Sequence, residues 1–222
     1  MPGHGVGWMP ELVSDYAGLL GTITARIGVG PQPLIVAIAG PPATGKSTLA
    51  ERLTEDLQLA GQTVAYCPMD GFHKTNARLD AEGLRGVKGR IDTFDGGAFV
   101  DAVARLSGED AFWWPRYSRH RHDPVPEGTR IDGNETVYIV EGNYILSDEE
   151  PWKSVSGRFG LRIFIDAPDE VLLRRLMHRH QSGGKSAAEA KRKIEQTDLA
   201  NAVAIRRTAN HADLLFQGGA DG

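Results

Sequence analysis

The chain has 222 residues, a single cysteine and a formal net charge of −4 at pH 7, with 41% hydrophobic and 24% charged residues. This composition suits a globular chain long enough to bury a core without cross-links, and the lone Cys67 excludes an intramolecular disulfide framework and a cysteine-rich zinc site. The acidic balance disfavours nucleic-acid binding, and no apolar run approaches the roughly 20 residues of a membrane helix.

The chain opens without a basic head and apolar segment of the secretory kind, so the cytoplasm is the expected compartment. Glycine-rich stretches occur at 1–7 and 218–222. Residues 11–28 carry Leu12, Tyr16, Leu19, Leu20, Ile23 and Ile27 at helical spacing, which predicts an amphipathic N-terminal helix packed on the domain's own sheet. Leu34 to Ala39 is short, continuously apolar and partly β-branched, the pattern of a strand buried on both faces. A glycine-rich turn follows, then a helix over 46–60 with Leu49, Leu53, Leu57 and Ala60 on one side. Further strands are expected at 63–67, 136–140, 161–165 and 213–216, five in all. Strands alternating with helices imply an α/β fold with a parallel sheet. The stretch 71–135 reads as a loop-rich insertion with a helix at 95–106; it opens at the carboxyl ends of strands, where ligands bind. Residues 168–209 read as two helices, over 168–181 and 186–208, parted by Gly183-Gly184.

Residues 40–48, Gly40-Pro41-Pro42-Ala43-Thr44-Gly45-Lys46-Ser47-Thr48, match G-x-x-x-x-G-K-[ST] between a buried strand and an amphipathic helix. Glycines let backbone N–H groups turn inward around phosphates, and the helix N-terminus adds partial positive charge. Lys46 offers a mobile cation for the β- and γ-phosphates, and the Ser47 hydroxyl can ligate Mg²⁺. The motif indicates nucleoside triphosphate binding and leaves motor, switch, hydrolase and kinase open.

Two strand-end carboxylates bear on that choice. Asp70 follows the strand 63–67 and reads either as a base that accepts a hydroxyl proton during attack on phosphorus or as an Asx-turn residue before Gly71. Glu141 closes the strand 136–140, where it suits Mg²⁺ or acceptor positioning, or simply ends the strand.

The phosphate loop, Asp70-Gly-Phe-His73, Lys88-Gly-Arg-Ile-Asp-Thr-Phe-Asp95, Pro115-Arg-Tyr117-Ser118-Arg119, Val140-Glu141-Gly142 and Asp166-Ala-Pro168 occur in one order. That order resembles the phosphoribulokinase/uridine kinase family of P-loop kinases, and within it type I pantothenate kinases and short bacterial kinase-like proteins linked to nucleosides or fructose transport. The resemblance spans about residues 34–216. It implies a five-stranded parallel sheet in the order 2-3-1-4-5, flanked by helices, in one kinase domain over 1–222. It further implies ATP and Mg²⁺, a small-molecule acceptor, an acceptor insertion at 71–135, and a lid with C-terminal helices at 168–209.

By the same resemblance Asp70 is the catalytic base, Glu141 with Ser47 the metal side, and His73 and Asn201 lie on the acceptor side; Tyr117 either hydrogen-bonds the acceptor or packs, and Lys88 reaches either the acceptor or the γ-phosphate. Arg119 stands where the family carries a histidine, a departure that suits an anionic acceptor or an internal ion pair. Arg175 and Arg179 are i, i+4 neighbours on the helix before the lid. They read as phosphate- and acceptor-facing charges, or as a solvated basic face paired with Asp169 or Glu170; for Arg174 the solvated reading is preferred. His73, His120 and His122 lack metal-ligand spacing, and Trp113-Trp114 reads as a packing wall. Exposed strand edges and the N-terminal helix permit a homodimer.

Overall fold

A computed structural model describes residues 9–108 and 110–217; both glycine-rich ends lie outside them. In chain order the main elements are β1 (Glu11–Val13), α1 (Tyr16–Arg26), β2 (Leu34–Ala39), α2 (Lys46–Leu59), β3 (Val64–Pro68), α3 (Asn76–Ala81), α4 (Gly96–Arg105), β4 (Phe112–Ser118) and β5 (Asp123–Ile131). They continue with β6 (Val137–Gly142), β7 (Leu161–Ile165), α5 (Asp169–Ser182), α6 (Ala187–Lys193), α7 (Leu199–Arg206) and β8 (Leu214–Phe216).

The main sheet is parallel and runs β1-β8-β7-β2-β6-β3. It therefore has six strands rather than the expected five in the order 2-3-1-4-5; the added strand is β1, at the edge beside β8. Residues 11–28 accordingly do not form one helix. The backbone of β8 leaves an edge to be paired, and Glu11 to Val13 take it in register with Leu214 to Phe216. Asp15 then caps α1, its Oδ1 accepting from the Gly18 N–H at 2.8 Å.

Alternate residues of each strand feed opposite faces. On one face Val36, Ile38, Ile139, Ile163 and Ile165 meet Leu19 and Ile23 of α1 and Leu49, Leu53 and Leu57 of α2. The Tyr16 hydroxyl ties these two helices by donating to Asp56 at 2.6 Å. On the other face Ala37, Ala39, Cys67, Val140 and Phe164 pack with Phe99 and Val103 of α4 and with Trp114 and Trp152. Cys67 is a buried small hydrophobe there, as expected.

The stretch 71–135 is more ordered than its composition predicts. Besides α3 and α4 it contains β4 and β5, an antiparallel ribbon whose register shifts between Trp114 and Arg116. Proline lacks the N–H a ladder needs, so Pro115, Pro124 and Pro126 argue against strands in a sequence reading; here the ribbon stands apart from the main sheet and has edges to hold them. The helix expected at 186–208 is broken into α6, a π-helical turn at Ile194–Asp198, α7 and a 3-10 turn at Arg207–His211. A capping box between Ser186 and Glu189 starts it.

Trp114 joins the ribbon to the core. It is fully buried, its Nε1–H donates to the Pro68 carbonyl at 3.0 Å, and its ring meets Phe72 edge-on at 5.1 Å. Its neighbour Trp113 is 45% exposed, with the Arg130 guanidinium 5.6 Å from its ring centroid. Trp114→Ala is expected to cost about 3–5 kcal/mol of stability and Trp113→Ala less than about 1 kcal/mol. Urea denaturation of both variants checks this; equal losses would contradict the inward role of Trp114.

Candidate active site

The phosphate loop joins β2 to α2. Gly40 has φ +153°, and a Cβ there would lie 2.0 Å from the Ile165 carbonyl of β7, so only glycine lets the loop leave the sheet this way. Pro41, Pro42 and Thr44 are buried, Ala43 turns left-handed with φ +66°, and Gly45 leads into α2. The Thr44 hydroxyl and the Lys46 ammonium both donate to the Pro41 carbonyl, at 2.9 and 2.8 Å. Thr48 is exposed. From α5, Arg175 Nη1 donates to the carbonyls of Ala43 and Thr44 at 3.4 and 3.3 Å, which brackets the loop from this helix.

Lys46 is 6% exposed, and burial pushes its ammonium down to about 8 despite the opposing charges of Glu141 and Asp70. Glu141 lies within β6 rather than beyond its end, and it too is buried. Burial and the Asp70 charge raise its carboxyl above the usual range; Lys46, Tyr66 and Ser47 oppose that rise. Its Oε1 accepts from the Ser47 hydroxyl at 3.2 Å and from the Tyr66 hydroxyl at 2.9 Å. Tyr66 was not singled out in the sequence, although a tyrosine in an otherwise apolar buried strand is a signal that its hydroxyl needs a partner.

Asp70 sits in the 3-10 turn Met69–Phe72 that follows β3. Pro68 of β3 is level with Glu141 of β6, which brings this turn to the carboxyl end of β6. Gly142 makes the close approach possible, because a Cβ on it would meet the Met69 Cβ at 2.4 Å. The Asp70 side chain remains 43% exposed, 3.9 Å from the His73 Nε2. Burial holds His73 down at about 4, so its imidazole is neutral at pH 7. Its ring stacks on Phe94 at 3.9 Å and lies 5.1 Å from Tyr117, and its buried Nδ1 has no well-formed hydrogen bond.

Asp70, His73, Tyr117 and Lys88 thus form one group. The Lys88 ammonium lies 4.9 Å from the Tyr117 ring centroid and donates to Asn76 Oδ1 and the His122 carbonyl, both at 2.8 Å. Asn201 instead donates to the Gly89 carbonyl at 3.1 Å, and Tyr144 donates to the same oxygen at 2.8 Å. Lys193 donates to the Lys88 carbonyl, so three side chains anchor the 88–89 loop to neighbouring elements. Arg119 is exposed in the turn between β4 and β5 with no ion pair among the described residues, and His120 is exposed beside it. Arg179 is exposed on α5, and its charge is felt by Lys46, His73 and Tyr117. Asp169 pairs with Arg206 of α7, not with the α5 arginines.

Among the described residues no cluster of three or more His, Cys, Asp or Glu could hold a metal by itself. One hydroxyl and one carboxylate, their oxygens 3.2 Å apart at Ser47 and Glu141, are hard donors that fit Mg²⁺ completed by phosphate oxygens and water. No helix among the described residues is long and apolar enough to cross a membrane.

A model of the phosphoribulokinase/uridine kinase family matches residues 35–221. The chain is 35% identical over 212 residues to "Uncharacterized protein YggC" of Escherichia coli (strain K12), covering 93% of this chain and 87% of that one. It is 33% identical over 149 residues to a pantothenate kinase of Nocardioides sp. (strain ATCC BAA-499 / JS614), covering 63% of this chain and 45% of the kinase, so it spans about half of that protein's length. A crystallised protein from Silicibacter sp. TM1040, provisionally described as a fructose transport system kinase, superposes with a TM-score of 0.83 at 32% identity, covering 90% of this chain and 97% of that one.

Burial makes the Lys46 charge sensitive to mildly alkaline pH. As pH rises through about 8 the free protein loses this ammonium, so affinity for a nucleoside triphosphate is expected to fall, approaching tenfold per pH unit above that point. Binding titrations between pH 7.5 and 9.5 on the native chain and on Lys46→Met test this. The native slope should exceed that of the variant, and equal slopes would remove Lys46 from phosphate binding.

Proposed function

The chain belongs to the phosphoribulokinase/uridine kinase family, whose members are small-molecule kinases, and from that premise we propose that it moves the γ-phosphoryl group of ATP to a hydroxyl of a small polar metabolite: a sugar, a nucleoside or a pantothenate-like acid. The observation that carries this reading is the placement of two carboxylates beside the phosphate loop: Glu141, bonded to Ser47 at the start of α2, and Asp70, in the turn after β3, whose Pro68 is level with Glu141. One carboxylate is buried and bonded to Ser47. The other is open to an incoming alcohol.

In this reading the loop amides of residues 40–48 and Lys46 hold the triphosphate in line. Mg²⁺, held by Ser47, Glu141 and phosphate oxygens, would neutralise charge on the β- and γ-phosphates. Asp70 accepts the hydroxyl proton as the acceptor oxygen bonds to phosphorus and the bridge to the β-phosphate breaks, releasing ADP. Arg175 and Arg179 offset the charge that builds on the transferred group. Residues 71–135 form the acceptor side, with His73 and Tyr117 as its wall and Lys88 as a donor. Arg119 reaches the acceptor from the ribbon turn. Asn201 acts on the acceptor through the 88–89 loop. Residues 168–209 form the lid and C-terminal helices.

A coupled ADP-release screen over sugars, sugar acids, nucleosides and pantothenate tests this reading. ADP formed only with an acceptor supports it. ADP formed equally without one indicates a plain NTPase, and binding without turnover indicates a regulatory module. With an accepted substrate, Asp70→Asn should lower kcat by about 10²–10⁴ while the KM for ATP stays within about twofold; an unchanged kcat removes the base assignment. Arg119→Ala should raise the acceptor KM and leave kcat in place, and an unmoved KM would place Arg119 outside the acceptor site.

A further inference from the structure

Tyr66 has no role in the reaction as described, yet it is the side chain that fixes Glu141 from the sheet side. It lies on β3 level with Ile139 of β6, two residues before Glu141. Residues two apart on a strand share a face, so Tyr66 and Glu141 are diagonal neighbours, within reach of an aromatic side chain. The Tyr66 hydroxyl donates to Glu141 Oε1 at 2.9 Å, and the Ser47 hydroxyl donates to the same oxygen at 3.2 Å. Two O–H donors on one oxygen set the plane of the carboxylate. Among the described residues no hydrogen bond engages Oε2, which keeps its acceptor capacity.

The choice of donor matters. A lysine or arginine here would orient Glu141 equally well but would cancel the negative charge a cation needs. A phenol is neutral, so its hydroxyl donates to Glu141 and leaves that negative charge in place. Ser47, in contrast, is also the hydroxyl that fits the cation itself. Tyr66 has no second task and can hold Glu141 throughout.

We propose that Tyr66 is a positioning residue for metal–nucleotide binding, its phenol holding Glu141 in the orientation that serves a divalent cation arriving with the triphosphate. This rests on the reading of Ser47 and Glu141 as the cation side of the pocket, and the test separates the two. Affinity for the non-hydrolysable analogue adenylyl imidodiphosphate is measured in EDTA and across a Mg²⁺ titration, on the full chain, for the native protein, Tyr66→Phe and Glu141→Gln.

Mg²⁺ should tighten binding to the native chain and do so far less for Glu141→Gln. Tyr66→Phe, which removes only the hydroxyl, should keep its EDTA affinity within about twofold and need about three- to tenfold more Mg²⁺ for half-maximal tightening. If Tyr66→Phe follows the native Mg²⁺ curve while Glu141→Gln does not, the proposal is overturned and the Glu141 reading stands. A Tyr66→Phe loss that is equal in EDTA and in Mg²⁺ also overturns it, because Tyr66 then supports the shape of the pocket rather than the cation. If Glu141→Gln itself matches the native chain, the Glu141 reading fails and the proposal falls with it.

Discussion

The candidate site depends on one buried ammonium and two carboxylates gathered at the carboxyl ends of three neighbouring strands. Lys46 begins α2 after β2, Glu141 stands in β6, and Asp70 follows β3. Burial works against every one of these charges that it covers, lowering Lys46 and raising Glu141. Their mutual attraction, with the hydroxyls of Ser47 and Tyr66, opposes that cost. Two close backbone approaches make the arrangement possible: Gly40 against Ile165 at the loop, and Gly142 beneath Met69 at the turn that carries Asp70. Such a site carries its charges before any ligand enters, the form of preorganisation that the proposed phosphoryl transfer would reward.

The two sides of the candidate site are held by different means. The phosphate side is a tight loop on the buried sheet, bracketed by Arg175. The opposite side is assembled from separate pieces: His73 on Phe94, Tyr117 from the ribbon, and the 88–89 loop tied down by Tyr144, Lys193 and Asn201. Trp114, hydrogen-bonded to Pro68, keeps the ribbon against the turn that carries Asp70. The C-terminal helices are pinned in turn by Arg206 on Asp166 and Asp169 and by His180 on Asp198 in the π-helical turn. Lys193 of α6 and Asn201 of α7 thereby tie these helices to the 88–89 loop, while Arg175 ties α5 to the phosphate loop.

Much of this was legible in the residues. The phosphate loop is local, the consecutive positions 40–48 between a strand and a helix, and local patterns survive in a sequence. Asp70 and Glu141 were visible as carboxylates at strand ends. The chain did not reveal β1, because a three-residue edge strand has no periodicity of its own and forms only where β8 offers a partner. The ribbon of β4 and β5 was obscured by its prolines, and the break in the last helix by an unbroken helical pattern across Ile194 to Asp198.

The sequence alone therefore determined the triphosphate cradle and the order of motifs that marks the family, because both are set by neighbouring residues and their conformational limits. Only the tertiary structure decided that Tyr66 and Ser47 share one oxygen of Glu141, that Asn201 serves the 88–89 loop, and that Arg119 stands out in the turn of the ribbon. These are contacts between strands, helices and loops far apart in the chain. They depend on strand register and on which face each side chain takes, and no short stretch of sequence carries that information.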